Sequence, residues 1–73
     1  MKLQYFLSST LGASSLVTSV VQTELGKRGY YQGPINGVID ADSQRAIRSF
    51  QTDRRLPVTG SIDSKLLRAL GIG

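Results

Sequence analysis

The chain contains no cysteine, no histidine and no tryptophan. Without cysteine it can form neither a disulfide framework nor a thiolate zinc site, and without histidine it cannot build a histidine-dependent catalytic triad. No apolar run approaches the ~20 residues that a transmembrane helix needs. These absences argue against several classes of enzyme and metalloprotein, and we expect no metal, no cofactor and no membrane span.

The chain is also short, at 73 residues, which suits a single domain. A domain of this size buries only about 60% of its unfolded surface, so one small core uses most of its large apolar residues. Little room remains for a deep catalytic pocket. Asp40 and Asp42 are the nearest approach to an acid/base pair, but their place at a predicted helix start explains them as capping residues. We therefore predict a binding module and not an enzyme.

Basic residues outnumber acidic ones by nine to five, giving a net charge of +4. Such a balance favours anionic partners such as nucleic acid, acidic lipid or an anionic cell-wall polymer, although a merely soluble basic surface explains it equally well. The start of the chain, MKLQYFLSSTLGASS, has the outline of a signal peptide, but its apolar stretch is short and interrupted by polar residues. We expect residues 1–15 to be a flexible lead-in or linker, with a signal remnant as the alternative.

Helical periodicity begins after this lead-in and indicates a first helix. Ser15 or Thr18 can cap it, and Gly26 or Gly29 can end it. The apolar residues at near-helical spacing are Leu16, Val17, Val20, Val21 and Leu25.

Two further helices are predicted downstream. Asp40 is a suitable N-cap for a helix ending near Arg54, and Asp63 caps another that ends near Gly71. Their apolar faces consist of Ala46, Ile47 and Phe50 in one and Leu66, Leu67 and Leu70 in the other. The sequence thus predicts an all-α fold over residues 16–73: a compact three-helix bundle with a Gly-, Tyr- and Pro-rich loop between helices 1 and 2.

An internal repeat relates the two turns that precede helices 2 and 3. GVID at 37–40 leads to RAI at 45–47, and GSID at 60–63 leads to RAL at 68–70 with the same spacing. Upstream, VQTE at 21–24 is echoed by FQTD at 50–53. In each unit glycine permits a turn with positive φ, isoleucine packs inward and aspartate caps the next helix. Only the first unit carries an insert, residues 30–36, so we expect any specialised function there.

The chain contains the pattern V-Q-x2-L-x3-G-Y-Y-x-G-x-I-N-G-x-I-D, followed by A-I-x2-F-Q and L-P-V-x-G-x-I-D. Over residues 17–72 it resembles the type 1 family of peptidoglycan-binding domains. The resemblance implies a small three-helix bundle with two repeated turn-helix units that accompanies bacterial cell-wall enzymes. The sequence departs from the family pattern in having Asn36 where aspartate is common, Asp40-Ala41-Asp42-Ser43 in place of Gly-Pro-x-Thr, and Leu66 in place of threonine.

Within the insert, Tyr30 and Tyr31 are adjacent and must point in different directions on an extended backbone. We expect one ring to pack on the core and Tyr31 to be the exposed ring that stacks on a sugar, with a purely packing role for both as the alternative. Gly33, Asn36 and Gly37 are expected to shape the turn, and they remain candidates for direct ligand contact because glycine admits a close backbone approach.

Gln22 and Gln51 occupy matching places in the two units, and we expect both to be buried amides that bond loop backbone. Gln51 is kept among the candidate ligand-binding residues. Arg45 and Arg48 flank the core face of helix 2, where either guanidinium could hold a stem-peptide carboxylate or simply be solvated.

The sequence therefore suggests non-catalytic binding of bacterial peptidoglycan, through its glycan strand or its stem peptide. The expected site is a shallow groove beside the insert and helix 2 of a monomer in the cell envelope, linked to or partnered with a cell-wall enzyme. One alternative is a protein–protein docking module of the envelope. Another is a helix-turn-helix nucleic-acid binder, but the third helix offers only Lys65 and Arg68 as basic residues.

Overall fold

Three helices make up the secondary structure of the part of the chain that the computed structural model describes, residues 2–72, with side chains described from residue 15. They are α1 (Lys2–Lys27), α2 (Ala41–Asp53) and α3 (Ser64–Leu70). The predicted all-α three-helix architecture is confirmed. The predicted lead-in, residues 1–15, falls almost entirely on residues whose side chains lie outside this description, so the domain boundary at residue 16 stays a prediction.

Helix α1 begins at Lys2, well before the predicted start at Leu16. Ser15 and Thr18 therefore lie inside the helix and do not cap it, which corrects that prediction. Serine and threonine are tolerated inside helices when their hydroxyls bond back to the preceding turn. Thr23 shows this arrangement, since its hydroxyl donates to the Ser19 carbonyl at 2.8 Å.

The face that α1 turns to the core also differs from the prediction. Val21 and Leu25 are buried as expected, but Leu16 is 70% exposed and Val20 40% exposed. Their place is taken by polar side chains, because Thr18 and Gln22 are buried on the same face as Val21. The hydrogen bonds of the buried Gln22 side chain therefore determine which face of α1 is turned to the core. As a result, the face that carries Leu16 and Val20 is left exposed.

Both predicted N-caps are confirmed. The Asp40 carboxylate accepts from the Ser43 N–H at 2.8 Å, and the Asp63 carboxylate accepts from the Leu66 N–H at 2.9 Å. Hydrogen bonds from the Ser43 backbone and side chain hold the pKa of Asp40 below its usual value. Each cap satisfies an N–H group that the first helical turn leaves unpaired.

All three helices end on the same 6→1 hydrogen bond, made at 2.8 Å from Tyr30 N to Leu25 O, from Leu56 N to Gln51 O and from Ile72 N to Leu67 O. This ending requires a residue with positive φ just before the donor. Glycine supplies it after α1 and α3, but after α2 the residue is Arg55, with φ 58°. Arg55 is therefore held in a conformation that costs a residue with a Cβ about 1–2 kcal/mol.

The core lies where α2 and α3 meet the C-terminal half of α1. As expected, α2 buries Ala46, Ile47 and Phe50, and α3 buries Leu66 and Leu70. Leu67 is only partly buried against this cluster. The turn before α2 packs against α1, and the turn before α3 packs against α2. This arrangement positions the candidate site.

Candidate functional site

The first turn is held by a single side chain, Gln22. Its Oε1 accepts from the backbone N–H groups of Asn36 at 3.1 Å and Gly37 at 3.0 Å. Its Nε2 donates to the Val38 carbonyl at 2.9 Å and to the Ser43 hydroxyl at 3.0 Å. Gln22 is 1% exposed, so these bonds form away from solvent. The predicted buried amide that bonds loop backbone is confirmed.

Gln51 performs the same task in the second unit. Its Oε1 accepts from the N–H groups of Thr59 at 2.9 Å and Gly60 at 3.0 Å, and its Nε2 donates to the Thr59 hydroxyl at 3.0 Å. Gln51 is also 1% exposed. We call these two arrangements the Gln22 clamp and the Gln51 clamp. Their equivalence shows that the sequence repeat is a structural one.

Asn36 and Thr59 hold equivalent places in the two clamps. The Asn36 Oδ1 accepts from the Val38 N–H at 3.0 Å, and the Thr59 hydroxyl accepts from the Ser61 N–H at 3.1 Å. The glycines that follow them, at 37 and 60, have φ of 75° and 70°, so glycine is needed there to avoid backbone strain. Asn36, Gly37 and Gln51, all candidate ligand-binding residues, therefore serve the conformation of the turns.

The structure corrects the expectation for Tyr31, which is 4% exposed and belongs to the core. Its hydroxyl donates to the Pro34 carbonyl at 2.7 Å and so closes the insert into a compact loop. A Cβ added to Gly33 would lie 2.6 Å from the same hydroxyl, which explains the glycine at that position. The buried ring therefore anchors the insert to the core.

Tyr30 is the more accessible of the two rings. It packs edge-on against Phe50, with ring centroids 5.4 Å apart. Its hydroxyl donates to the Asp53 carboxylate at 2.6 Å, and this hydrogen bond is the main reason why the pKa of Tyr30 lies above its usual value. Tyr30 thus presents a half-buried ring and a bonded hydroxyl at the surface of the insert.

A shallow groove of about 330 Å³ runs between the insert and α2. We call it the tyrosine groove; its lining residues are Tyr30, Tyr31, Gln32, Gly33, Asp42, Arg45, Ala46 and Ser49. Arg45 and Asp42 form an ion pair at 2.7 Å on its α2 side, and both side chains are largely exposed. The groove brings together four of the eight candidate residues, Tyr30, Tyr31, Gly33 and Arg45.

A second, larger groove of about 520 Å³ lies on the other side of α2, and sequence reasoning did not anticipate it. We call it the α1 groove; its lining residues are Val17, Thr18, Ile39, Gln44, Gly60, Ser61 and Ile62. Arg48 belongs to this side, because its guanidinium lies over Gly60. Arg45 and Arg48 therefore serve different grooves. The signal that could have revealed the second groove is the shared Gly-x-Ile-Asp turn, whose isoleucines, Ile39 and Ile62, form its walls.

No helix within residues 2–72 combines the length and the apolar character that crossing a membrane requires.

Comparison with known proteins gives a family and two relatives. The model of a family described as "Putative peptidoglycan binding domain" matches residues 17–70. Two curated relatives, each named "Localization factor PodJL" and from two strains of Caulobacter vibrioides (NA1000 / CB15N and ATCC 19089 / CIP 103742 / CB 15), are 38% identical over 65 residues. The alignment covers 89% of this chain but only 7% of each relative. No solved structure gives a significant match.

Proposed function

This chain belongs to the putative peptidoglycan-binding domain family, and on that premise we propose that it binds bacterial peptidoglycan without catalysing a reaction on it. The tyrosine groove carries the proposal. It is open, it combines the half-buried ring of Tyr30 with the guanidinium of Arg45, and it lies on the insert that only one of the two repeated units has. A tyrosine can contact the C–H face of a sugar, and a guanidinium can bind the carboxylates of peptidoglycan.

The ion pair between Arg45 and Asp42 suits a binding role. Both side chains are more than half exposed, and exposed ion pairs contribute only about 0–1 kcal/mol. A ligand carboxylate can therefore replace Asp42 at little cost. Asp42 in turn keeps the Arg45 side chain over the groove when no ligand is present.

A groove of this size supports weak binding, so the domain would act by attaching a larger protein to the cell wall. The matched relatives fit that role, because their name describes localization factors and this chain corresponds to a small part of their length. Attachment to a longer protein raises the effective concentration of the domain at the wall. We accordingly place the domain in the cell envelope, and docking on another envelope protein is the alternative.

Binding to purified peptidoglycan sacculi in a sedimentation assay tests the proposal. Arg45→Gln should lower the bound fraction several-fold because it removes a charge from the groove. Arg55→Gln is the matched control, since it removes the same charge at the exposed end of α2, outside both grooves. If wild type stays in the supernatant, the proposed function is wrong. If both variants lose binding equally, the attraction is a general effect of charge and not of the groove.

A further inference from the structure

The α1 groove has the size and the lining of a peptide site. Its volume of about 520 Å³ exceeds that of the tyrosine groove. Val17, Ile39 and Ile62 give it apolar walls, and Gln44 and Ser61 add polar groups at its edge. None of its lining residues is aromatic. It therefore offers small apolar side chains a place to pack but offers no ring on which a sugar can stack.

Comparison of the two repeated units shows that Arg48 stands where the first unit has a serine, Ser19. In the first unit, Gly37 is approached by Ser15 and by the hydroxyl of Ser19, which lies three residues before the clamp glutamine. In the second unit, Arg48 has the equivalent position and covers Gly60 in the same way. Because two serines of α1 cover the turn in the first unit, covering the glycine does not by itself call for a charged side chain in the second.

The Arg48 guanidinium also has no acidic partner among the described side chains. Three ion pairs form within residues 15–72, and they join Glu24 to Lys27 and to Arg28, and Asp42 to Arg45. Arg48 is an exposed residue whose guanidinium lies beside Gly60, a lining residue of the α1 groove. A planar guanidinium can bind a carboxylate through two parallel hydrogen bonds. Arg48 could therefore donate two hydrogen bonds to a carboxylate at this end of the groove.

We propose that the α1 groove binds the carboxylate-terminated end of a short peptide, with Arg48 on the carboxylate and small side chains against Val17, Ile39 and Ile62. In peptidoglycan the matching group is the stem peptide. This inference therefore rests on the proposed function and extends it: the tyrosine groove binds sugar and a carboxylate beside it through Arg45, and the α1 groove on the other side of α2 binds the C-terminal end of the stem.

Backbone amide chemical shifts measured during titration with two synthetic stem tetrapeptides test the inference. One probe has a free C-terminal carboxylate, and the other has a carboxamide in its place. The free acid should shift the amides of Gln44, Ser61 and Ile62. The carboxamide should bind wild type at least about tenfold more weakly, since it removes a charge-assisted pair of hydrogen bonds.

Variants distinguish a specific contact with Arg48 from a general effect of positive charge. Arg48→Gln should bind the acid about as weakly as wild type binds the carboxamide, and it should no longer distinguish the two probes. Arg55→Gln, with the same loss of charge at an exposed residue outside both grooves, should retain the distinction. Ser61→Trp should block the groove without removing any core side chain, because Ser61 is exposed. An Arg48→Gln variant that still prefers the acid overturns the inference.

Failure of the inference can be told apart from failure of the proposed function. A soluble muropeptide, which carries both sugar and stem, is titrated in parallel. Shifts confined to Gln32 and Gly33 of the tyrosine groove would support peptidoglycan binding and overturn the α1 groove assignment. Shifts in the α1 groove with the acid tetrapeptide but no retention on sacculi would support the peptide site and refute peptidoglycan as its source. No shift with any probe refutes both.

Discussion

Replacing Gln22 by methionine should be among the most damaging single changes in the domain, although the two side chains are close in size and shape. Methionine fills the same space but offers neither the acceptor nor the donor of the amide. The Gly37 N–H, which lies at a buried residue, then loses its acceptor. A buried donor left without a partner costs about 1–3 kcal/mol.

The remaining losses are smaller because other partners exist. The Asn36 N–H belongs to an exposed residue and can bond water, and the Val38 carbonyl still accepts from the Ser43 hydroxyl at 3.4 Å. We therefore expect Gln22→Met to lower the free energy of unfolding by about 2–4 kcal/mol. A chain of this length has a total stability of about 4–11 kcal/mol. The loss corresponds to a fall in melting temperature of about 8–30 °C.

Thermal and urea unfolding followed by far-UV circular dichroism measure this change. Thr23→Ala is the matched control, because Thr23 is an exposed residue of α1 next to Gln22 whose hydroxyl bonds only the Ser19 carbonyl. It should change stability by less than about 0.5 kcal/mol. Hydrogen exchange of the Gly37 amide provides a local readout and should become faster in Gln22→Met. A Gln22→Met variant as stable as Thr23→Ala, with Gly37 still protected, would refute the clamp.

Three further changes test other parts of the structure. Gly33→Ala should destabilise the domain by about 1–3 kcal/mol, because the added methyl group would collide with the Tyr31 hydroxyl; equal stability in urea unfolding would contradict this contact. Arg55→Gly should stabilise it by about 0.5–1 kcal/mol by relieving the positive φ, whereas Arg55→Ala keeps the Cβ and should not; melting temperatures distinguish the two. The lowered pKa of Asp40 means that its carboxylate stabilises the fold above the pKa of the unfolded state, about 3.9, and loses this effect as pH falls through the lower pKa of the folded state. Stability measured from about pH 5 down to pH 2 should therefore fall less steeply in Asp40→Asn than in wild type.

The elements that could be predicted from the sequence are those set by local chemistry. Aspartate at a helix start, glycine at a turn and apolar spacing along α2 each act within a few residues, so Asp40, Gly37 and Phe50 are placed as expected. The repeated glutamines could also be predicted, because polar residues at equivalent places in the two repeated units indicate a shared structural task.

The elements that could not be predicted depend on tertiary packing. The orientation of α1 is set by bonds from Gln22 to a turn that follows many residues later, and no local pattern encodes that requirement. The same holds for the insert, where the two adjacent tyrosines are chemically equal and only the position of the core decides which ring is buried. The α1 groove arises where the two repeated turns and α1 come together, so it belongs to no single stretch of sequence.

The Gln22 clamp has a consequence for how the insert can change over time or by design. It fixes the end of the insert through backbone groups of Asn36 and Gly37, and Tyr31 fixes the beginning from the core side. Between these two anchors the side chains of Gln32 and Ile35 are exposed. These two side chains take no part in either anchor, whereas Gly33 and the Pro34 carbonyl contact the Tyr31 hydroxyl and belong to the first anchor. The outward side chains of Gln32 and Ile35 can therefore be altered while the three helices keep their arrangement, which would change the surface that the insert offers to a ligand.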